Sequence, residues 1–517
     1  MVALLAGLAF RHLGYPPLLG FLLAGFIAHE FGVGEIETIR QLADIGITLL
    51  LFTIGLKLNL RELAQVQVWG TAATHMIIAV VLTVPVIILA GLFYSPLALG
   101  SYSAAWILAF ALSFSSTVFA VKIFEQRGGR SSLHADIAIG ILIVQDIFAV
   151  CFLVFTSDEL PSLWALGLLV LPLLKPLFTR ILDRVGYGEL LVLFGVVAAF
   201  GAHELFELVH LKGDLGALLI GVFLGNSTKS KELYNSLISV KDLFLIGFFL
   251  QIGFYGLPSA EMLLVALALS LLIFIRPLLY FFLLVAFGLR ARTAFLCGFS
   301  LFNYSEFGLI VGSIAVSSGM LSSQWLTTLA LAMAVSLFIA TPFNTWVHEL
   351  YSKSSDFLQK FERRQRLERD KFSSLGDTDC VILGMGRVGL GAYRQLRKQF
   401  GDSVIGVEQN LDRVNKLNRH GYRCILADAS DYDFWLDAKL TERRLLFVNL
   451  SNHQENLHVV TLAKQFNYKG VLAVISRYPE HTAELEAKGC IAFNLYAEAG
   501  RGFAQCVLRK MKKKRFA

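Results

Sequence analysis

Residues 139–150 read IGILIVQDIFAV. They sit inside an apolar run from about 135 to 155, long enough to cross a bilayer, because a spanning helix takes roughly 20 residues. Gln145 and Asp146 fall near its middle. A carboxylate at that depth costs on the order of 2.5–3.5 kcal/mol on insertion scales, so packing alone rarely retains one. A buried aspartate hydrogen-bonded for structure is one reading. A proton or cation site is the other, and the position favours it. Asp146 is the expected centre of the chemistry, in a polytopic α-helical membrane domain.

Composition agrees with that fold. The 517 residues are 56% hydrophobic and 16% charged, with a mean hydropathy of +0.63. Those values exclude a wholly soluble chain of this length. The apolar bias ends near Trp346, and the sequence beyond is polar and charged. Cys151, Cys297, Cys380, Cys424, Cys490 and Cys506 form no CxxC pair and no metal-ligand spacing, so neither a metal site nor a disulfide framework is expected, and a reducing cytosol suits the C-terminal part. Residues 2–10 are apolar but too short to span unaided, without a basic n-region or an A-x-A-like cleavage site. They are not read as a secretory signal; either the first helix is short or the chain begins late.

Apolar runs recur with centres near 7, 23, 49, 82, 112, 146, 168, 197, 219, 248, 271, 306 and 335, which predicts about thirteen spans. Charges between them alternate. One set of loops holds Arg11; Lys57 and Arg61; Lys122, Arg127 and Arg130; Lys175, Arg180 and Arg184; Lys229 and Lys231; Arg290 and Arg292. The other holds Glu30, Glu35 and Glu37 with Arg40, then the uncharged stretch 95–101, then Asp158 and Glu159. The positive-inside rule makes the first set cytoplasmic, which puts the N-terminus outside and the C-terminal part in the cytosol. The net charge of +7 lies largely in these loops and is no nucleic-acid signature.

Two spans carry polar interruptions. Ser113, Ser115, Ser116 and Thr117 interrupt the fifth, and Asn303, Tyr304, Ser305 and Glu306 the twelfth. Either run alone fits interhelical hydrogen bonding. Together, beside Asp146, they predict two broken helices lining a site in an inverted-repeat transporter, with the seventh span as connector. Arg276, just before Pro277 in the eleventh span, needs an internal partner near the Gln145–Asp146 level or a place at the membrane edge. Asp44, Asp214, Lys241 and Asp242 lie nearer the expected span ends and are read as interface or gate residues.

Residues 348–377 carry charges of both signs and read as a solvated helical connector, or else as a helix that transmits the state of the membrane part. A strand at 380–383 then runs into Gly384, Met385, Gly386, Arg387, Val388 and Gly389, followed by a helix and a second strand ending on Glu408. In that context the glycines let backbone approach phosphate, the helix N-terminus offers N–H groups, and the acid takes ribose hydroxyls. Gln409 follows Glu408, and Asp428 and Ala429 follow the third strand at the sheet's carboxyl edge. Further strands at 424–426, 446–449, 472–475 and 491–493 predict a parallel sheet of about six strands. The tail 510–515, KMKKKR, reads as a solvated or lipid-headgroup-attracted end, with no nucleic-acid role.

GYPPLLGFLLAGFIAHEFGVG at 14–34, SSTVFAVKIFEQRG at 115–128, the Gln145–Asp146 pair, LGALLIGVFLGNS at 215–227 and the trio Ser305, Glu306, Phe307 resemble the Kef-type monovalent cation:proton antiporters, of the second cation:proton antiporter family. The resemblance runs along almost the whole chain. It implies that Asp146 carries protons and cations where two broken helices cross. Gln145, Ser115, Ser116, Thr117 and Arg276 would surround it, with Ser305 and Glu306 supporting the second broken helix. Electrogenic relatives have two acids; Gln145, with Arg276 in place of a lysine, resembles the electroneutral, often K⁺-selective branch. One acid holding either a proton or a cation gives one-for-one exchange.

The polar half resembles the RCK (TrkA-N) regulatory domains, Rossmann-like α/β domains that bind an adenine nucleotide (AMP, ATP or NAD(H)) as regulator and dimerise. Some Kef members also bind glutathione there through basic side chains, and Arg394 and Arg477 fall near comparable positions. The membrane loops lack the acidic run those members use for gating. The expected layout is an exchanger domain at 1–347, a charged linker at 348–377 and a cytosolic regulatory domain at 378–517, in a multi-pass inner-membrane homodimer. A ligand-gated K⁺ channel would need a carbonyl filter such as TVGYG, and an oxidoreductase would need a substrate domain; the sequence holds neither.

Overall fold

The computed structural model describes residues 1–13, 15–33, 37–57, 65–93, 102–126, 132–155, 162, 175–209, 213–225, 227, 229–254, 257–363, 366–367, 370 and 375–515. The chain divides into two units. Met1–Ala120, Ile137–Phe287 and Ala294–Tyr351 form the first; Val121–Asp136, Gly288–Thr293 and Ser352–Ala517 form the second.

The regular elements of the apolar part, among its described residues, are all helices. In chain order run α1 (Val2–His12), α2 (Pro17–Glu30), α3 (Glu37–Lys57), α4 (Val66–Phe93), α5 (Tyr102–Ala111), α6 (Thr117–Gln126), α7 (Leu133–Phe155), α8 (Lys175–Val185) and α9 (Glu189–Glu207). They continue with α10 (Gly213–Gly225), α11 (Ser230–Phe254), α12 (Ala260–Leu271), α13 (Ile275–Ala286), α14 (Ala291–Ser300), α15 (Glu306–Ser317), α16 (Ser323–Thr345) and α17 (Val347–Leu358). Among the described residues, α3, α4, α9, α11, the continuous run Ala260–Ala286 and α16 are long and apolar enough to cross a membrane.

Each expected span centre outside the undescribed residues falls on one of these helices or, near 112 and 306, at a helix break. The seventh centre, near 168, lies outside the described residues, as do Glu35, Arg61, the stretch 95–101, Arg127, Arg130, Asp158 and Glu159. The loop expected around Lys175, Arg180 and Arg184 is instead helix α8, because Leu182 and Phe178 bury one face against α9 and α10 while the basic groups take the other. Lys241 also departs from expectation. It is buried in the middle of α11 and pairs with Asp242 at 2.9 Å.

Close helix packing depends on glycine. A Cβ on Gly55 of α3 would strike the Leu218 carbonyl of α10, and one on Gly221 would strike the Phe52 carbonyl in return. Gly25 of α2 and Gly253 of α11 face each other in the same way, and Gly46 meets the α11 backbone at 244–245. Small residues at such positions let helix backbones touch, where dispersion replaces the hydrophobic drive that lipid removes.

The second unit holds β1 (Cys380–Leu383), α18 (Arg387–Phe400), β2 (Val404–Glu408), α19 (Leu411–Arg419), β3 (Cys424–Leu426), α20 (Tyr432–Asp437), β4 (Leu445–Val448), α21 (His453–Gln465), β5 (Val471–Ser476), α22 (Pro479–Ala487), β6 (Ile491–Asn494) and α23 (Leu495–Arg515). The six strands form one parallel sheet in the order β3-β2-β1-β4-β5-β6. Alternation explains its two covered faces: Val381, Leu383, Ile405 and Val407 pack with Trp435 and Val459, while Cys380, Ile382 and Val404 pack with Tyr393 and Val414. The linker is less solvated than its charges predict. Ser355, Asp370 and Leu375 are buried, because Asp370 is fixed by an arginine and Leu375 joins the sheet's core.

Candidate functional site

The two interruptions are built alike. Ser113 Oγ donates back to the Phe110 carbonyl and Ser300 Oγ to the Cys297 carbonyl, each at 2.7 Å. These local bonds compete with the helix at the ends of α5 and α14. Helix resumes at α6, where Ser116 Oγ accepts the Phe119 N–H at 3.2 Å, and at α15, where Ser305 Oγ accepts the Phe307 N–H at 3.2 Å. Serine caps thus supply acceptors for N–H groups that a helix start leaves unpaired. The unwound stretches are 112–116 and 301–305.

The breaks are tied to each other. Ser115 Oγ donates to the Leu301 carbonyl at 3.1 Å, the Ser116 N–H to Asn303 Oδ1 at 2.6 Å, and Ser116 Oγ to Glu306 Oε2 at 2.9 Å. Arg276 of α13 is buried against them. Its guanidinium donates to the carbonyls of Leu112 (3.0 Å) and Phe114 (3.1 Å), to those of Ser113 and Asn303, and to Ser115 Oγ (3.4 Å). The Tyr304 ring faces it at 5.0 Å. Of the two expectations for Arg276, the internal partner is the one observed. The cation sits on the carbonyl ends of both interrupted helices, where their dipoles are negative. The turn of 3₁₀ helix at Leu272–Phe274 leads into it, and Pro277 has no N–H to offer the turn before.

Helix α7 brings the Gln–Asp pair alongside. Gln145 Oε1 accepts the Ser115 N–H and Gln145 Nε2 donates to Tyr280 Oη, both at 2.9 Å. Asp146 Oδ2 accepts from Thr117 Oγ1 at 3.4 Å, at the N-terminus of α6. Gln145 is fully buried and Asp146 is 2% exposed. All the ion-site residues named from the sequence therefore meet: Ser115, Ser116, Thr117, Gln145, Asp146, Arg276, Ser305 and Glu306. Two further partners, Tyr280 and His75, were not singled out, and Asn303 was named only as part of the second interruption. Asn303 joins the breaks; Tyr280, one turn beyond Arg276, holds Gln145; and buried His75 of α4 stacks on Tyr280 at 3.8 Å between ring centroids. Only a histidine in an otherwise apolar run marks His75 in the sequence.

The second candidate is a cleft of about 610 Å³ at the carboxyl edge of the sheet, within the second unit. Gly384 has φ +93°, which favours glycine. A Cβ on Gly389 would strike the Gly384 carbonyl. Gly386 precedes α18 without a side-chain cap, so N–H groups there are available for an anion. Gly384, Gly386, Glu408, Gln409, Asp428, Ala429 and Arg477 line the cleft, together with Arg413 and Glu455. Arg387 and Val388 open α18 beside it. Arg477 lines the cleft, whereas Arg394 is outside its lining and donates to Tyr422 Oη at 2.9 Å. Glu408 accepts the N–H groups of Gln409 (3.1 Å) and Asn410 (3.2 Å) and pairs with Arg413 at 3.3 Å.

Electrostatics in the cleft are uneven. Burial alone would raise the Asp428 carboxyl, but Arg292 and Ser430 outweigh it and hold the group below the usual range. Glu455 is pushed up to about 8, by burial first and then by the charge of Asp428. The glycine turn, the open helix N-terminus and the carboxylate at the end of β2 fit a nucleotide.

Residues 1–349 match the transmembrane sodium/hydrogen exchanger family. The chain belongs to that family. In this exchanger, residues 380–492 match the TrkA-N domain as well. The exchanger is 26% identical over 524 aligned positions to YbaL of Escherichia coli (strain K12), a protein assigned as a cation/proton antiporter, covering 95% of this chain and 92% of that one. Two solved structures resemble it. The sodium proton antiporter MjNhaP1 of Methanocaldococcus jannaschii is 16% identical, with a TM-score of 0.44, over 69% of this chain and 95% of that one. The TrkA-N domain of E. coli YbaL is 21% identical, with a TM-score of 0.23, over 25% of this chain and 96% of that one. The exchanger is thus a transporter that carries a TrkA-N domain behind its antiporter domain.

Proposed function

We propose that this exchanger moves K⁺ against H⁺, one for one, at Asp146, and that an adenine nucleotide in the 610 Å³ cleft regulates it. One observation carries the exchange reading: both ends of the Gln145 amide are committed, to Ser115 and to Tyr280. Gln145 is then a brace, and Asp146 beside Thr117 is the group that alternates between proton and cation. Glu306 is bonded by the hydroxyls of Ser116 (2.9 Å) and Ser305 (3.3 Å) at the start of α15, a supporting place. Mutual exclusion at one carboxylate moves no net charge. Smaller, more strongly hydrated Na⁺ is the competing cargo.

The cleft supports a regulatory nucleotide of the AMP, ATP or NAD(H) class, because phosphate would meet the α18 N-terminus and ribose hydroxyls Glu408. A glutathione role for Arg394 and Arg477 stays part of the proposal, with Arg477 in the cleft and Arg394 outside it. The positive loops support a cytosolic TrkA-N domain in an inner-membrane protein, and a homodimer is part of the same proposal. The test is ion-driven pH change in proteoliposomes loaded with K⁺ or Na⁺, with and without nucleotide. Asp146→Asn keeps the shape and removes the charge, so exchange should fall below about a tenth of wild type. Retained exchange moves the site elsewhere, and equal rates with K⁺ and Na⁺ remove the K⁺ assignment.

A further inference from the structure

Arg290 and Arg292 belong to the second unit, and both are buried there. Arg290 Nε donates to Asp370 at 3.0 Å and Arg290 Nη2 to Asp431 at 2.5 Å; its backbone N–H also reaches Asp370, at 2.7 Å. Arg292 lies 3.5 Å from Asp428, 3.3 Å from Asp431 and 3.1 Å from the Ser430 carbonyl. The Ala291 N–H donates to Glu362 at 2.7 Å, and Thr293 Oγ1 to Asp370 at 2.8 Å. The first turn of α14 is therefore gripped by carboxylates from the linker and from the loop after β3. N–H groups that a helix start leaves over end on two of those carboxylates.

Asp428 has a second face. It also lines the nucleotide cleft. Its Oδ1 takes the N–H and the hydroxyl of Ser430, at 2.9 and 2.6 Å, while Oδ2 faces Arg292. A ligand in the cleft and Arg292 thus share one carboxylate. A ribose hydroxyl donating to Oδ2 competes with the guanidinium, and a phosphate nearby changes the field on both. With Arg292 only 3% exposed, solvent screens little of that change.

The chain carries the effect onward. Helix α14 starts at Ala291 and ends at Ser300, where the 301–305 break begins. Asn303 in that break accepts from Ser116 and holds Arg276. We propose that Arg292 is a positioning residue for exchange: through Asp428 it reads ligand in the cleft and sets the start of α14, and so the second break. This rests on the nucleotide-regulation reading above. It supplies what that reading requires, a contact whose energy differs between ligand-bound and ligand-free states.

The test uses full-length protein with AMP, ATP and NADH. Wild type, Arg292→Gln and Arg292→Lys are compared for nucleotide-induced thermal shift and for the nucleotide effect on cation-driven pH change. Arg292→Gln should still be stabilised by the nucleotide, yet its transport response should shrink by about fivefold or more, the low end of typical coupling. Arg292→Lys should recover part of it. A response in Arg292→Gln equal to wild type overturns the proposal. Where Arg292→Gln does not fold, hydrogen exchange in wild type decides: amides at 288–300 should change protection on nucleotide addition, and no change there overturns it too. If no nucleotide shifts the melting of wild type, the regulatory reading itself fails and this proposal falls with it.

Discussion

Two buried arginine sites in this exchanger solve the same problem in opposite ways. Arg276 sits where two helices break, and among the described residues its hydrogen bonds go to carbonyls and a serine hydroxyl. Arg290 and Arg292 are met by full carboxylates from Asp370, Asp428 and Asp431. Burial works against the Arg290 charge, but Asp431 and Asp370 outweigh it and raise its pKa. Carbonyl dipoles carry no titratable charge, so Arg276 is held by dipoles with no acid among its described hydrogen-bond partners. A carboxylate can be shared, and Asp428 is. The exchanger holds its two helix breaks together with dipoles and places carboxylate charge beside the cleft.

The comparison breaks first at Arg276. Arg276→Ala leaves four backbone carbonyls without their donor, at about 1–3 kcal/mol for each buried unpaired group, less than additively. The apparent melting temperature in detergent should drop sharply, with exchange lost. Asp370→Asn, which removes one carboxylate from a cluster of several, should cost clearly less. Equal losses would mean that the two sites are not held differently.

A second test adds a carboxylate where the Asp146 cluster keeps the Gln145 amide. Gln145→Asp introduces a second titratable group beside Asp146, so proteoliposome transport should become sensitive to an imposed membrane potential while wild type is not. Continued indifference to potential would place position 145 away from the moving ion, or show the new charge to be neutralised by Arg276.

The smallest effect concerns Glu455 beside Asp428. Folded, it keeps its proton to about pH 8, whereas its ordinary value is 4.5, so the folded protein binds more protons between those values. The stability tied to that proton is full below the ordinary value and is lost as pH rises through about 8. Glu455→Gln should flatten this decline in melting temperature from about pH 5 to about pH 9. An unchanged profile would assign the decline to another group.

Much of this was legible because it is local. Residues 380–389 write strand, turn and helix in order, and the sheet follows by alternation. The serines at 113, 116, 300 and 305 end and restart helices through bonds spanning three residues or fewer. Asp146 announced itself by its depth. What stayed hidden was pairing at long range. Arg290 meets Asp431 across 141 positions and Asp370 across 80; in the sequence each is one more charge in a polar stretch, and solvation is the default reading. His75 and Tyr280 stack from helices far apart in the chain, which no periodicity records.

The glycine contacts among α2, α3, α10 and α11 bear on motion. Gly25 against Gly253, Gly46 against the backbone at 244–245, and Gly55 against Gly221 leave no side-chain cushion between these four helices. Surfaces meeting backbone to backbone resist sliding, since any shift drives carbonyl oxygens into Cα atoms. The four helices therefore form one stiffly packed group, and any motion that opens the proposed Asp146 site would move the helix-break assembly past that group rather than loosen it.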